Sequence, residues 1–170
     1  MPSHFGDPAL ALPLFYKPHS KIGQYKIGFI PHFLDKGKDS VSYISHSKDV
    51  HTIDIQMPKS IFKPSILNHY QEFIDEVYSC DVIIASCLHG LIVADAYNKP
   101  TLWLKFGDDI GGDDIKFYDY YASMGLLECD IAPVIITGEE YLPEILGSMA
   151  TKKPVRNVDI LSVLALNPFK

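Results

Sequence analysis

Two histidines stand where one predicted element of the sequence ends and the next begins. His89 follows the apolar run 81–86 (DVIIAS) and opens a stretch predicted to be helical, while His32 lies at the end of the earlier run 25–33 (YKIGFIPHF), just before Phe33. A strand-to-helix turn gathers free backbone N–H groups and the positive end of a helix dipole, and both favour an anion. An imidazole placed there can donate a hydrogen bond to phosphate or carboxylate, or transfer a proton near neutral pH. The alternative is a structural role, in which the ring only hydrogen-bonds to a carbonyl group of a neighbouring loop or packs against its own loop.

Neighbouring residues could complete such an anion site. Gly90 would let a ligand approach the backbone closely. Lys105 ends the next predicted strand and Lys116 lies in the first turn of the next predicted helix, so both are candidates for supplying positive charge. For Lys116 the alternative is a surface ion pair with Asp119 or Asp113.

The segments that position these residues alternate between strand and helix patterns. Strands are predicted at residues 25–33, 49–57, 81–86, 101–106 and 132–137. Helices are predicted at residues 65–80, 89–97, 115–125, 139–150 and 158–166, with a short one at 38–45. Ser65 is the predicted cap of the longest helix, and Asp113 or Asp114 is expected near the start of the helix at 115–125. Asn98 and Gly125 are predicted helix stops.

This alternation indicates an α/β fold, with a Rossmann-like parallel sheet and helices on both of its faces. We expect residues 1–25 to form an irregular, Pro-rich entry segment and residues 26–170 to form a single domain. In such sheets, ligands bind outside the carboxyl ends of the strands. The sequence places both His32 and His89 at that edge.

Composition argues against several other classes of function. The 170 residues carry a net charge of −6, which leaves no broad positive surface for nucleic acid. No apolar run approaches the ~18 residues that a membrane span requires. Three cysteines without a CxxC pair indicate reduced thiols in a cytoplasmic protein. The chain contains neither the P-loop motif GxxxxGK[ST] nor the dinucleotide-binding motif GxGxxG. Its acidic loop 105–117 lacks the ligand spacing of an EF-hand, and we predict no metal site.

Three stretches of the sequence carry a family resemblance. They are GDPALALPLFY (6–16), CDVIIASCLHGLIVADAYNKP (80–100) and KFYDYYASMG (116–125), and IGFIPHF (27–33) also fits. In their order and spacing they resemble the polysaccharide pyruvyl transferase family. The resemblance implies that a pyruvyl group passes from phosphoenolpyruvate to two hydroxyls of a sugar as a cyclic ketal, in exopolysaccharide or cell-surface glycan biosynthesis. It also implies no cofactor, a glycan or lipid-linked sugar as acceptor, and one half of a GT-B architecture.

The donor-binding element of that family is an Arg-Leu-His tripeptide, which falls here on Cys87, Leu88 and His89. A cysteine cannot replace a guanidinium, so Lys105 or Lys116 would have to supply the missing charge. His89 is the residue that we expect to be catalytic. The residues expected to bind the substrate are Ser86, Cys87, Leu88, Gly90, His32, Lys105 and Lys116.

Members of that family commonly have twice this length, so the chain resembles the C-terminal, donor-binding half of a transferase, and inactivity of this half alone is compatible with that. Two alternatives stay open. One is a GT-B half that binds a nucleotide-sugar. The other is a non-catalytic remnant or interaction module, whose apolar segments, such as LSVLALNPF (161–169), would serve self-association or the docking of an N-terminal half.

Overall fold

A parallel sheet of five strands forms the centre of the molecule. A computed structural model of the chain describes residues 6–56, 63–108, 114–138, 141–155 and 160–165. The strands are β1 (Tyr25–Ile30), β2 (Val50–Thr52), β3 (Cys80–Ala85), β4 (Thr101–Lys105) and β5 (Val134–Ile135). Their order across the sheet is β2-β1-β3-β4-β5, and every neighbouring pair is parallel. The predicted α/β, Rossmann-like fold is confirmed.

Helices connect these strands and pack on both faces of the sheet. They are α1 (Leu12–Phe15), α2 (Asp39–Ser45), α3 (Lys63–Ser79), α4 (Leu88–Ala96), α5 (Ile115–Ser123), α6 (Pro143–Met149) and α7 (Ile160–Ala165). Two 3₁₀ turns, Pro8–Ala11 and Glu128–Asp130, accompany them. Within the described ranges, no helix is long and apolar enough to cross a membrane.

Alternate side chains of the central strands fill two separate cores. In β3, Ile83 belongs to the core that includes residues of α3, α4 and α5, whereas Ile84 belongs to the core that includes residues of α2 and α6. Both side chains are fully buried. A strand covered on both faces needs apolar residues at successive positions, which explains the unbroken apolar run in the sequence.

The N-terminal segment departs from its prediction. Residues 8–15, which were expected to be irregular, form the first 3₁₀ turn and α1. Leu10 and Ala11 are buried, and the 3₁₀ turn packs against α4, so burial of apolar surface stabilises helical turns in a Pro-rich stretch. Whether a domain boundary lies after residue 25 stays a prediction.

Of the predicted helix caps, Ser65 is wrong and Asp114 lies where it was expected. Helix α3 begins at Lys63, which places Ser65 inside the first turn. Pro64 is tolerated as the second helical residue because its missing N–H would have no intrahelical partner there. Asp114 does occupy the N-cap position of α5, but its side chain makes no capping hydrogen bond. Asp113 lies outside the described residues.

The two predicted stop signals are confirmed by the backbone. Asn98, just after α4, has a φ of 56°, and Gly125, just after α5, has a φ of 79°. Both values lie in the left-handed region that ends helices and that asparagine and glycine tolerate best.

Candidate functional site

The candidate site lies where the strand order reverses. The chain leaves β1 toward β2 on one side, and the remaining strands continue from β3 on the other side. A crevice opens at the carboxyl ends of β1 and β3 in sheets of this order, and ligands bind there. His32 follows β1 and His89 follows β3, so the fold brings together two histidines that are 57 positions apart in the sequence.

A groove of about 910 Å³ occupies this crevice. His32, His89 and Lys116 contribute basic groups to its lining, and no aspartate or glutamate is among the described lining residues. Most of the remaining lining is apolar, including Leu12, Phe15, Phe33, Ile74, Leu88 and Val93. Such a groove favours an anion at its basic end.

His32 presents its ring to the groove as a neutral hydrogen-bond donor. Its Nδ1 accepts a hydrogen bond from the N–H of Leu34 at 3.3 Å, so the neutral ring carries its proton on Nε2. Burial lowers the pKa of His32, and the charges of Lys116 and His89 lower it further against the opposing effect of Asp35. An anion bound in the groove would offset these effects.

His89 is the second residue of α4, and its side chain is exposed to the groove. The N–H groups of the first turn of a helix have no intrahelical acceptor, and the helix dipole adds positive potential there. The predicted placement of His89 at a helix N-terminus is therefore what the structure shows, although α4 begins one residue earlier, at Leu88.

Cys87 occupies the N-cap position of α4 and lines the groove, although it is only 5% exposed. Burial raises the pKa of its thiol, against the opposing effects of the backbone N–H groups of Gly90 and His89 and the charge of Lys116. The sulfur thus lies beside two of the backbone amides that a ligand at the start of α4 would use. A neutral thiol supplies no counter-charge for an anion.

The two candidate lysines have different surroundings. Lys116, in the first turn of α5, lines the groove and lies 5.6 Å above the ring centroid of Phe117. It makes no ion pair with Asp119 or any other residue of the described ranges. Lys105 is not among the lining residues.

Lys105 instead forms ion pairs within its own loop. Its Nζ lies 2.8 Å from Asp108 Oδ1 and 2.5 Å from Asp114 Oδ2, and hydrogen bonds to these two carboxylates raise its pKa. The expectation that Lys105 points toward the pocket is wrong, because its ammonium group pairs with Asp108 and Asp114 instead. Lys116 is therefore the lysine that the structure places with the two histidines.

Gly90 and Ser86 have roles other than lining the groove. A Cβ on Gly90 would lie 2.9 Å from Cδ1 of Ile30, so the glycine permits close packing of α4 on β1 rather than the approach of a ligand. Ser86 is fully buried, and its hydroxyl donates a hydrogen bond to Asp35 Oδ2 at 2.7 Å. Neither residue is among those that line the groove.

Sequence reasoning missed two contributions to the site. Asp35, which lies in the His32 loop and is only 1% exposed, had no local signal, because its partner Ser86 is distant in sequence. The segment 9–16 forms one wall of the groove through residues such as Leu12 and Tyr16. The Tyr16 hydroxyl donates a hydrogen bond to Asp75 at 3.1 Å, which ties this wall to α3. This segment belongs to the stretch 6–16, whose family resemblance could have indicated that it contributes to the site.

No cluster of metal ligands accompanies these residues. In the ranges that the structure describes, histidine, cysteine and carboxylate side chains nowhere form a group of three or more that could hold a metal ion.

Comparison with known proteins identifies the family to which this chain belongs. The family model described as polysaccharide pyruvyl transferase matches residues 2–108, which include His32 and the segment 86–90. An uncharacterized protein of Acanthamoeba polyphaga mimivirus is 32% identical over 124 residues, which cover 71% of this chain and 40% of that protein. The chain thus spans well under half of the length of this relative. No solved structure gives a significant match. On the family-model match, this chain belongs to the polysaccharide pyruvyl transferase family.

Proposed function

We propose that this domain binds phosphoenolpyruvate and serves as the donor-binding half of an enzyme that transfers pyruvyl to a glycan. The observation that carries the proposal is the convergence of His32, His89 and Lys116 on one groove whose described lining contains no carboxylate. Phosphoenolpyruvate carries both a phosphate and a carboxylate, so it needs more than one positive or hydrogen-bond-donating group.

The reaction converts phosphoenolpyruvate and two sugar hydroxyls into a cyclic ketal and inorganic phosphate. The oxygen of the first hydroxyl bonds to C2 while a proton is added to C3, which turns the methylene into a methyl group. The oxygen of the second hydroxyl then replaces phosphate at C2, and the phosphate leaves with the electrons of its C–O bond. One hydroxyl proton balances the proton gained by C3, and the other leaves with phosphate or a base.

Each basic group has a role in this proposal. Lys116 supplies the charge that the arginine of the family tripeptide would supply. His89, beside the amides at the start of α4, contacts phosphate or carboxylate and is the candidate acid for C3. His32 donates from Nε2 to the same anion.

The acceptor and its setting complete the proposal. A glycan, free or lipid-linked, would be bound largely by a second half of a GT-B protein, since the chain covers 40% of its viral relative. The three cysteines are free thiols, which agrees with a cytoplasmic reaction.

Calorimetric titration with phosphoenolpyruvate at low salt tests this function. We expect the wild type to bind, Lys116→Met and His89→Ala to lose about tenfold or more in affinity, and Lys105→Met to bind like the wild type. The two lysine variants remove the same charge, but only Lys116 lines the groove. Equal losses from both would show that overall charge, not the groove, attracts the anion.

A second titration distinguishes the competing functions. A nucleoside diphosphate that binds the folded chain where phosphoenolpyruvate does not would favour a nucleotide-sugar glycosyltransferase half. If neither ligand binds the folded domain, the proposal of a donor-binding half with a self-sufficient site is contradicted.

A further inference from the structure

We infer that Ser86 and Asp35 are positioning residues, which hold the His32 loop so that its imidazole faces the groove. The inference rests on the proposed function for the importance of His32, but it concerns two buried side chains that make no contact with the groove. It revises the expectation that Ser86 binds substrate.

The hydroxyl of Ser86 both accepts and donates a hydrogen bond. It accepts a hydrogen bond from the backbone N–H of His32 at 2.9 Å and donates one to Asp35 Oδ2 at 2.7 Å. Ser86 is 0% exposed and Asp35 is 1% exposed. With its proton donated to Asp35, the hydroxyl oxygen presents its lone pairs to His32, so the carboxylate orients the group that fixes the loop.

The carboxylate of Asp35 is itself held by a cation that reaches a third strand. Lys38 Nζ lies 2.9 Å from Asp35 Oδ1 and donates a hydrogen bond to the carbonyl of Phe106 at 2.9 Å. Phe106 directly follows β4, Ser86 follows β3, and Asp35 lies in the loop after β1. The network therefore joins segments that follow three neighbouring strands, β1, β3 and β4, of which β1 and β3 flank the crevice.

The backbone of the same loop continues this arrangement up to the ring. The N–H of Asp35 donates to the carbonyl of His32 at 2.9 Å, and the N–H of Leu34 donates to His32 Nδ1 at 3.3 Å. The first bond closes the turn, and the second leaves the Nε2 proton directed away from its own loop. Burial of an ion pair costs desolvation free energy, which a loop without a positioning task could avoid with apolar side chains.

The decisive measurement is the titration of the His32 ring by NMR in the full chain, in Ser86→Ala and in Thr101→Val. The charged groups that act on the pKa of the ring are Lys116, His89 and Asp35. Thr101→Val is a matched control, because Thr101 is also 0% exposed and donates to a buried carboxylate, Asp95, at 2.8 Å. We expect Ser86→Ala to move the pKa of His32 toward that of an ordinary histidine and Thr101→Val to leave it unchanged.

Affinity for phosphoenolpyruvate is measured on the same three proteins. We expect a loss of about tenfold in Ser86→Ala and none in Thr101→Val. Should Ser86→Ala fail to fold, Ser86→Cys keeps the size of the side chain but hydrogen-bonds weakly, and the same shifts are expected.

The possible results separate this inference from the proposed function. An unchanged His32 titration, or an equal change in both variants, overturns the positioning role. A changed titration with unchanged affinity also overturns it, because the loop would then be held without consequence for the ligand. If the wild type does not bind phosphoenolpyruvate, the proposed function fails, and the titration of His32 alone decides whether Ser86 positions the ring.

Discussion

Asp35 and Asp95 are both about 1% exposed, but they lie at opposite edges of the sheet and have different partners. Asp35, at the carboxyl edge, is bonded to the ammonium of Lys38 and the hydroxyl of Ser86. Asp95, near the end of α4, accepts hydrogen bonds from Thr101 Oγ1 at 2.8 Å and from the Tyr120 hydroxyl at 2.9 Å. One carboxylate is paired with a cation, and the other with neutral donors.

The difference shows how this fold uses buried polar groups. Asp95 joins α4 to the first residue of β4 and to α5, three elements that already pack on one another. Asp35, together with Lys38, instead joins segments that directly follow β1, β3 and β4. We therefore infer that the network at the amino end of β4 serves cohesion of the fold, whereas the network at the carboxyl ends of β1 and β3 shapes the candidate site.

The largest expected effect is on the pH dependence of the free energy of unfolding, and it tests whether Asp95 is held by uncharged donors. Burial raises the pKa of its carboxyl group to about 7, even though Thr101 and Tyr120 donate to it and the charge of Lys153 opposes the rise. A raised pKa means that the folded state binds the proton more tightly than the unfolded chain. The contribution of Asp95 to the free energy of unfolding is then fully present below about pH 4, and it is lost as the pH rises to about 7.

Asp95→Asn should remove this pH dependence. The difference between the ordinary value of 3.8 and about 7 corresponds to roughly 4 kcal/mol, so urea unfolding curves of the wild type and variant should diverge between pH 4 and pH 7 by up to that amount. Parallel curves across this range would show that Asp95 is not the group that titrates.

Asp35→Ala sharpens the contrast through the ion pair. Loss of the buried carboxylate removes one ion-pair partner of the Lys38 ammonium and the acceptor of the Ser86 hydroxyl, so we expect a loss of about 3 kcal/mol in the free energy of unfolding. Denaturant unfolding measures it. If the ion pair carries this effect, Asp35→Ala should cost clearly less in a Lys38→Met background than in the wild type. Equal losses of unfolding free energy in the two backgrounds would mean that the ion pair with Lys38 does not contribute to the effect of Asp35.

The fold could be predicted because its signals are local. Unbroken apolar runs mark strands covered on both faces, and Asn98 and Gly125 stop their helices through their own backbone preferences. The position of His89 at the start of α4 followed from the same boundary between strand and helix. These predictions need only neighbouring residues.

The detailed site could not be predicted because its contacts join distant segments. The hydrogen bond between Ser86 and Asp35 spans 51 positions, and it exists only because β1 and β3 are neighbours in the sheet. Likewise, Lys105 and Lys116 look equivalent in the sequence. Only the structure shows that Asp108 and Asp114 pair with Lys105.

The smallest expected effect concerns the pH dependence of ligand binding at the carboxyl edge. The pKa of His32 lies below the ordinary 6.5, because of burial and the charges of Lys116 and His89. A bound anion would raise that pKa, so binding takes up a proton and affinity for phosphoenolpyruvate should increase as the pH falls from about 7.5 to about 5.5. In His32→Gln this part of the increase should be absent, a difference of about threefold at the lower pH.

Calorimetry across this range, with His46→Gln as the control, measures the effect. His46 is exposed at the end of α2 and does not line the groove. The phosphate of the ligand also gains a proton near pH 6, so the comparison is between proteins at each pH rather than between pH values. If His32→Gln follows the wild type at every pH, the ring does not gain a proton on binding. His32 would then act only through its neutral Nε2–H, and the carboxyl edge would resemble the amino edge in depending on neutral donors.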